Sequence, residues 1–423
     1  MSGEIKIVYP VCCGMDIHKS FIVACIAVTD ERGQTKHHVR RFSTFTGDLR
    51  RLAEWLASYN CKDVCMESTG KYWIPVFNVL ELTCNVCLTH PKYVKAIKGK
   101  KTDKRDAKRI SELFKCDLVR SSFIPPLDIR QLRDLCRYHT KLTYMNTSEK
   151  NRAQNCLTAS NFKLDDVFSD VFGKSATRIL DKLFEQGNSD FDVAPLLDKR
   201  CNATVDEVTA ALDGEFNVSQ AEKLKLIRKH QECIAELQSS LEAVIFRLAE
   251  KFQPQIQLLM SVPGISTKLS AIRILAEIGA DMSVFETSKH LVSWAGLCPQ
   301  NNESGGKKKT TRIARAGAYL KPLLVQIVLA IVKSDKHPEL KNKFQSLKKR
   351  RGGKKAVIAI ARKLLTAIWH IFSTGEFYNA ELYRKADKPP VNHEITPDEA
   401  FALLRRKGFI IKGIPAQPLE IAS

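Results

Sequence analysis

A chain of 423 residues with 44% hydrophobic content has room for two or three domains, each with its own core. Its 67 Lys and Arg against 46 Asp and Glu leave a net charge of +21, which makes a polyanion, and nucleic acid first, the expected partner. The longest apolar runs, Ala356 to Ile360 and Leu323 to Val332, are too short or too interrupted to span a bilayer, and the amino terminus lacks the order of a secretory signal. The expectation is a cytoplasmic protein without membrane contact, its 13 cysteines kept as thiols.

Val11 to Lys19 and Phe21 to Val28 are apolar runs that predict a β-hairpin with one carboxylate, Asp16, among burying residues. A third antiparallel strand follows over His37 to Phe45. An amphipathic helix then opens at Thr46 with Leu49, Leu52, Trp55 and Leu56 on one stripe. Asp63 to Glu67 predicts a short buried strand ending on a second carboxylate, and Asn85 to Thr89 another. The next helix carries Asp103 and Asp106 three positions apart, hence on one face, with Thr102 suited to its N-cap. Phe123-Ile124-Pro125-Pro126 marks a domain edge.

From 127 to 253 the pattern is helical. Ile227, Ile234, Leu241 and Leu248 recur every seven residues, with Leu237 and Val244 between them, as in a coiled-coil seam suited to dimerisation or spacing. The span 161–216 suggests no function. A third region, 254–380, starts with an apolar helix, the turn Val262-Pro263-Gly264-Ile265 and a second apolar helix, in the manner of a helix-hairpin-helix that holds phosphate through backbone N–H groups. It continues through a glycine-flanked loop, Glu303-Ser304-Gly305-Gly306-Lys307-Lys308-Lys309, to further apolar helices, and 381–423 is a tail.

The expected architecture is α/β plus all-α: an RNase H-like domain over 1–126, a helical coiled-coil middle, and a mostly helical third domain. Asp16, Glu67, Asp103 and Asp106 come from two strands and a helix of one α/β unit. Such convergent hard oxygen ligands suit a pair of Mg²⁺ ions, with Mn²⁺ as a substitute, and cations would offset the cost of burying Asp16. Nucleic acid would be held by Lys101, Lys104, Arg105, Gly264, Gly305, Gly306, Lys307, Lys308, Lys309, Arg312 and Arg315. The chemistry of Ser304 stays open between gripping phosphate and attacking it, since no histidine is near it in sequence. Cys84-Asn85-Val86-Cys87 has metal-ligand spacing without a second pair, and packing explains it better.

Five motifs in series, Gly14-Met15-Asp16-Ile17-His18-Lys19, Met66-Glu67-Ser68-Thr69-Gly70, Lys101-Thr102-Asp103-Lys104-Arg105-Asp106-Ala107, Val262-Pro263-Gly264-Ile265, and Trp294 to Pro299 with Glu303 to Lys307, resemble the insertion-sequence one-hundred-ten family of DEDD transposases. The resemblance implies a RuvC-like domain whose metal tetrad is Asp16, Glu67, Asp103 and Asp106, and a carboxy-terminal transposase domain with Ser304 as nucleophile. It also implies an oligomeric recombinase, dimer or tetramer, directed by a structured bridge RNA to donor and target DNA. Asp16 and Ser304 would then be halves of a composite site, within one subunit or between two. Two rivals stand beside it: a metal-dependent Holliday-junction-type resolvase or nuclease that uses water as nucleophile, and a non-catalytic nucleic-acid-binding protein.

Overall fold

A computed structural model describes residues 6–68, 70–94, 102–299, 302–305, 307–310 and 312–383, with 400 and 404. The amino-terminal part is a mixed sheet. Strands β1 (Val11–Ile17), β2 (Phe21–Thr29) and β3 (Thr35–Ser43) form an antiparallel meander. Helix α1 (Thr46–Ser58) then leads to β4 (Asp63–Glu67), which pairs parallel to β1, and α2 (Trp73–Leu80) leads to β5 (Asn85–Thr89), parallel to β4. The order across the sheet is β3-β2-β1-β4-β5. After the short α3 (Pro91–Val94), α4 (Asp103–Lys115) crosses the sheet, capped by Thr102, whose side chain accepts a bond from the Arg105 N–H.

Alternation along β1 divides the two faces. Cys13, Met15 and Ile17 pack with Leu49, Leu52 and Leu56 of α1 and Val76 and Leu80 of α2. Cys12, Gly14 and Asp16 face α4, where Cys12 and Cys65 join Ile110 and Phe114. Gly14 is what lets α4 lie so close. A Cβ there would sit 2.2 Å from the Ser111 backbone nitrogen and 2.4 Å from the Ala107 carbonyl oxygen, so the helix backbone rests directly on the strand.

The helical remainder begins with α5 (Leu127–Ala159), which packs along α9 (Val218–Leu248). Between them α6 (Leu164–Val167), α7 (Lys174–Gln186) and α8 (Val205–Ala211) close a small core of their own around Phe162, Ile179 and Leu183. Here one expectation changes. The heptad seam on α9 is covered only in part within the chain: Ile227 and Ile234 are buried, Leu241, Val244 and Leu248 are half-buried, Leu237 is exposed, and His139, Thr143 and Asn146 of α5 bond Glu242, Gln238 and Gln231 of α9. Much of the periodicity is thus met by α5, and Leu237 is the seam residue that α5 leaves exposed.

The largest core gathers α10 (Gln253–Met260), α11 (Lys268–Ile278), α12 (Ser288–Trp294), α13 (Leu320–Lys333), α14 (Pro338–Arg351) and α15 (Gly353–Thr374) around the start of α5 and the end of α9. By length and composition α15 is apolar enough to cross a membrane, which exceeds the sequence expectation. In the structure its Ile360, Ala361, Leu364, Leu365 and Ile368 are buried in this core.

A half-buried ion pair ties α5 to α11. Arg137 donates two bonds to the Glu277 carboxylate, at 2.7 and 2.8 Å, and Arg133 donates to the Ala276 and Glu277 carbonyls. Removing Arg137 leaves the Glu277 carboxylate, 7% exposed, short of its partner. Because the Arg137 side chain keeps 39% exposure, Arg137→Ala is expected to cost about 2–3 kcal/mol, below the upper range for buried pairs, read as a lower urea midpoint.

Candidate metal centre on the sheet face

At the carboxyl end of β1 the chain turns through Lys19 and Ser20 into β2, closed by the His18 N–H bonding the Phe21 carbonyl. Asp16 and His18, two positions apart, thereby leave the strand on one side. His18 Nε2 lies 3.2 Å from Asp16 Oδ2 and 3.5 Å from Asp103 Oδ1. One ligand atom from each of Asp16, His18 and Asp103 falls within 4.8 Å of the others, a geometry able to hold a metal ion.

The other two predicted acids belong to the same face. Gly14 pairs with Cys65 and Met15 with Met66 in the parallel β1–β4 register, so the next step sets Glu67 beside Asp16. Asp106 is one helical turn beyond Asp103 in α4. Burial pushes the Asp16 carboxyl above its ordinary range; His18 draws it down, and the Asp106 and Asp103 charges push it up again. A buried carboxylate surrounded by further acids fits a divalent cation, because the donors are hard oxygens joined by one ring nitrogen.

Ser304 stands elsewhere in the fold. The expected loop is a β-hairpin: β6 (Asn302–Ser304) pairs antiparallel with β7 (Lys307–Thr310), Ser304 opposite Lys307, and Gly305 at the turn has φ +58°. A two-residue turn with positive φ suits Gly-Gly. The hairpin's base is fixed by a bridge between Pro299 and Ile313. Below it Gly317 passes Ala295 so closely that a Cβ would meet the Ala295 oxygen at 2.2 Å.

Lys104 and Arg105 are exposed at the start of α4, and Arg312 and Arg315 are exposed after the hairpin. Gly264 sits in the α10–α11 turn against Ile327 and Ile331 of α13. For Ser304, Lys307, Lys308 and Lys309 the backbone alone is described, and Lys101 and Gly306 lie outside the described residues. Sequence reasoning left His18 out of the site. Its signal was the spacing: a residue two beyond Asp16 in a strand shares its face.

A family model described as a transposase, of the DEDD IS110 type, matches residues 13–162, which contain all four acids and the whole sheet but its first two residues. A second, described as transposase IS116/IS110/IS902 family, matches residues 256–345, which contain the hairpin. The chain belongs to the IS110 family of transposases. Among relatives of this IS110-family chain, a probable family 20 transposase of Pseudomonas aeruginosa is 26% identical over 74% of this chain and 85% of its own length. The transposase for insertion sequence element IS1111A of Coxiella burnetii is 24% identical over 76% and 81%. A pilin gene-inverting protein of Moraxella bovis is 28% identical over 37% of this chain and 48% of its own. A Fowlpox virus resolvase, solved with Holliday junction DNA, aligns at 17% identity over 25% of this chain and 72% of that one, with a TM-score of 0.18. Family membership makes this IS110-family protein an enzyme of DNA transposition and recombination.

Proposed function

We propose that the chain cuts and rejoins the DNA of an insertion sequence with Ser304 as nucleophile and the acidic cluster as its metal centre. The observation that carries the reading is the convergence of Asp16, His18 and Asp103, with Glu67 and Asp106 on the same face, inside a segment matched by the DEDD family model. In this reading the amino-terminal sheet is an RNase H-like, RuvC-like domain over 1–126. The helical 127–253 is a spacer, 254–380 is the transposase domain, and 381–423 is a tail.

Asp16, Glu67, Asp103 and Asp106 hold one or two divalent cations, Mg²⁺ by our reading, and His18 adds a nitrogen donor that Mn²⁺ accepts more readily. The metal supplies Lewis-acid stabilisation of charge on the phosphate. Ser304 Oγ forms a bond to phosphorus as the bond to one deoxyribose oxygen breaks, and the hydroxyl proton ends on the departing oxygen. The phosphoserine link conserves bond energy, so a hydroxyl from a second DNA end can reverse the step and rejoin the strand. Donor and target DNA are the substrates. A structured guide RNA and a dimeric or tetrameric assembly are part of the proposal, supported by the net charge of +21 and by the carriage of Asp16 and Ser304 on separate cores.

The test is a denaturing gel of cleaved donor DNA. Protein should migrate covalently attached to a DNA end, and Ser304→Ala should remove that band and lower recombination at least a thousandfold. Cleavage without attached protein, undiminished in Ser304→Ala, would return the chain to a water-using nuclease. Sequencing RNA that co-purifies with the protein tests the guide, and random cellular RNA alone would refute it.

A further inference from the structure

The pairing across the sheet extends the acidic row to the far edge. Asp16 is opposite Val23 and Val23 is opposite Arg41, so Glu67, Asp16, Val23 and Arg41 lie in line on the α4 face. Helix α4 covers only part of that face. At its carboxyl end it meets β3, where Lys115 Nζ donates to Thr35 Oγ1 and Glu112 pairs with His37. Toward its amino end it diverges from β3, leaving Val39 and Arg41 uncovered. The gap is a groove of about 640 Å³ lined by Phe21, Val23, Val39, Arg41, Asp103 and Lys104.

The groove opens onto the metal cluster, since Asp103 belongs to both. Arg41 is held in position there. Its guanidinium carbon lies 3.8 Å from the centre of the Phe21 ring, and the same ring packs against His18 at 4.5 Å. Stacking on an aromatic face fixes the guanidinium plane while leaving its N–H groups free for an anion. Among the described residues no carboxylate lies within ion-pair distance of Arg41.

We propose that Arg41, oriented by Phe21 and joined by Lys104, seats a DNA backbone phosphate neighbouring the one at the acidic cluster. The groove between β3 and α4 is then the track along which one strand reaches the site. The inference rests on the reading of the chain as a DNA-cutting transposase and adds a positioning residue to it. The chemistry is that of a phosphodiester: planar, bidentate N–H donors set beside a site that is itself acidic and would otherwise repel the strand. Asp103, the acid lining the groove, is turned to His18, where a bound cation offsets its charge.

The experiment uses the full chain and a short duplex spanning one end of the element that encodes it, with Ca²⁺ in place of Mg²⁺ so that binding is read without turnover. Arg41→Ala should weaken binding about tenfold and reduce the slope of log K on log salt by about 0.9, one phosphate contact. Methylphosphonate placed singly along the cleaved strand should weaken the wild type at one position flanking the cleavage site. Arg41→Ala should be indifferent at that position alone, and Phe21→Leu should show the same loss in part. Circular dichroism checks that both variants are folded. An unchanged slope and an unchanged methylphosphonate profile in Arg41→Ala, with cleavage still lost in Asp16→Ala, overturns this inference and leaves the proposed function standing. Cleavage that survives in Asp16→Ala overturns the proposed function instead, whatever Arg41 does.

Discussion

Gly14→Ala should lower recombination at least about a hundredfold although it adds only one methyl group, at a strand position packed under α4. The added Cβ would stand 2.2 Å from the Ser111 nitrogen and 2.4 Å from the Ala107 oxygen. Both are backbone atoms of α4, so relief requires the helix itself to move. Asp103 and Asp106 ride on that helix and Asp16 is two residues from Gly14 on the strand, so any separation opens the metal cluster directly. Misplacing a reacting geometry by an ångström costs on the order of a hundredfold in rate, and overpacking a core costs about 1–3 kcal/mol. Activity is therefore expected to fall at least a hundredfold while the chain stays folded, measured as recombination of a donor–target plasmid pair alongside a thermal melt. Ser111→Ala, which trims a side chain and leaves the backbone contact alone, should retain activity. A Gly14→Ala protein recombining at the wild-type rate would show that α4 is not seated by this contact.

The amino-terminal sheet was legible because its physics is local. The unbroken apolar runs that become the buried strands β1 and β2, the capping of α4 by Thr102, and the strand ending on Glu67 all follow from neighbouring residues and from the cost of a buried charge. That Asp16 needs a cation or a proton followed from the same cost, whereas Asp103 is a further acid that adds to that need. What was not legible depends on partners distant in sequence. Gly14 reads as an ordinary strand glycine until α4, about 90 residues later, is laid across it. The seam on α9 has the period of a coiled coil whether α5 or another copy covers it, and periodicity alone does not say which. The hairpin around Ser304 escaped because Lys307 to Lys309 lack the apolar alternation by which strands are recognised. Arg41 escaped because its significance lies in the β1–β2–β3 register, which sets it in line with Asp16.

Asp16→Asn should eliminate cleavage and yet leave the metal-free protein at least as stable as the wild type. Burial and the neighbouring Asp103 and Asp106 raise the Asp16 carboxyl above its ordinary value of 3.8, so folding favours the protonated form. Stability from this group is therefore fully present below the ordinary value and is lost as pH rises through the raised one. At neutral pH the ionised carboxylate is a net burden on the metal-free fold, and an amide of the same shape removes it. Divalent cation reverses the order. A ligand that binds only the folded chain at a hundred times its dissociation constant adds about 2.7 kcal/mol, so Mg²⁺ or Mn²⁺ should raise the melting temperature of the wild type and not that of Asp16→Asn. The crossing of the two melting curves on metal addition separates a metal-holding role for Asp16 from a purely structural one, which would destabilise Asp16→Asn equally with and without cation. His18→Ala should fall between them, keeping the oxygen donors while losing one ligand, with the melting shift by Mn²⁺ reduced more than that by Mg²⁺ because the lost donor is a ring nitrogen.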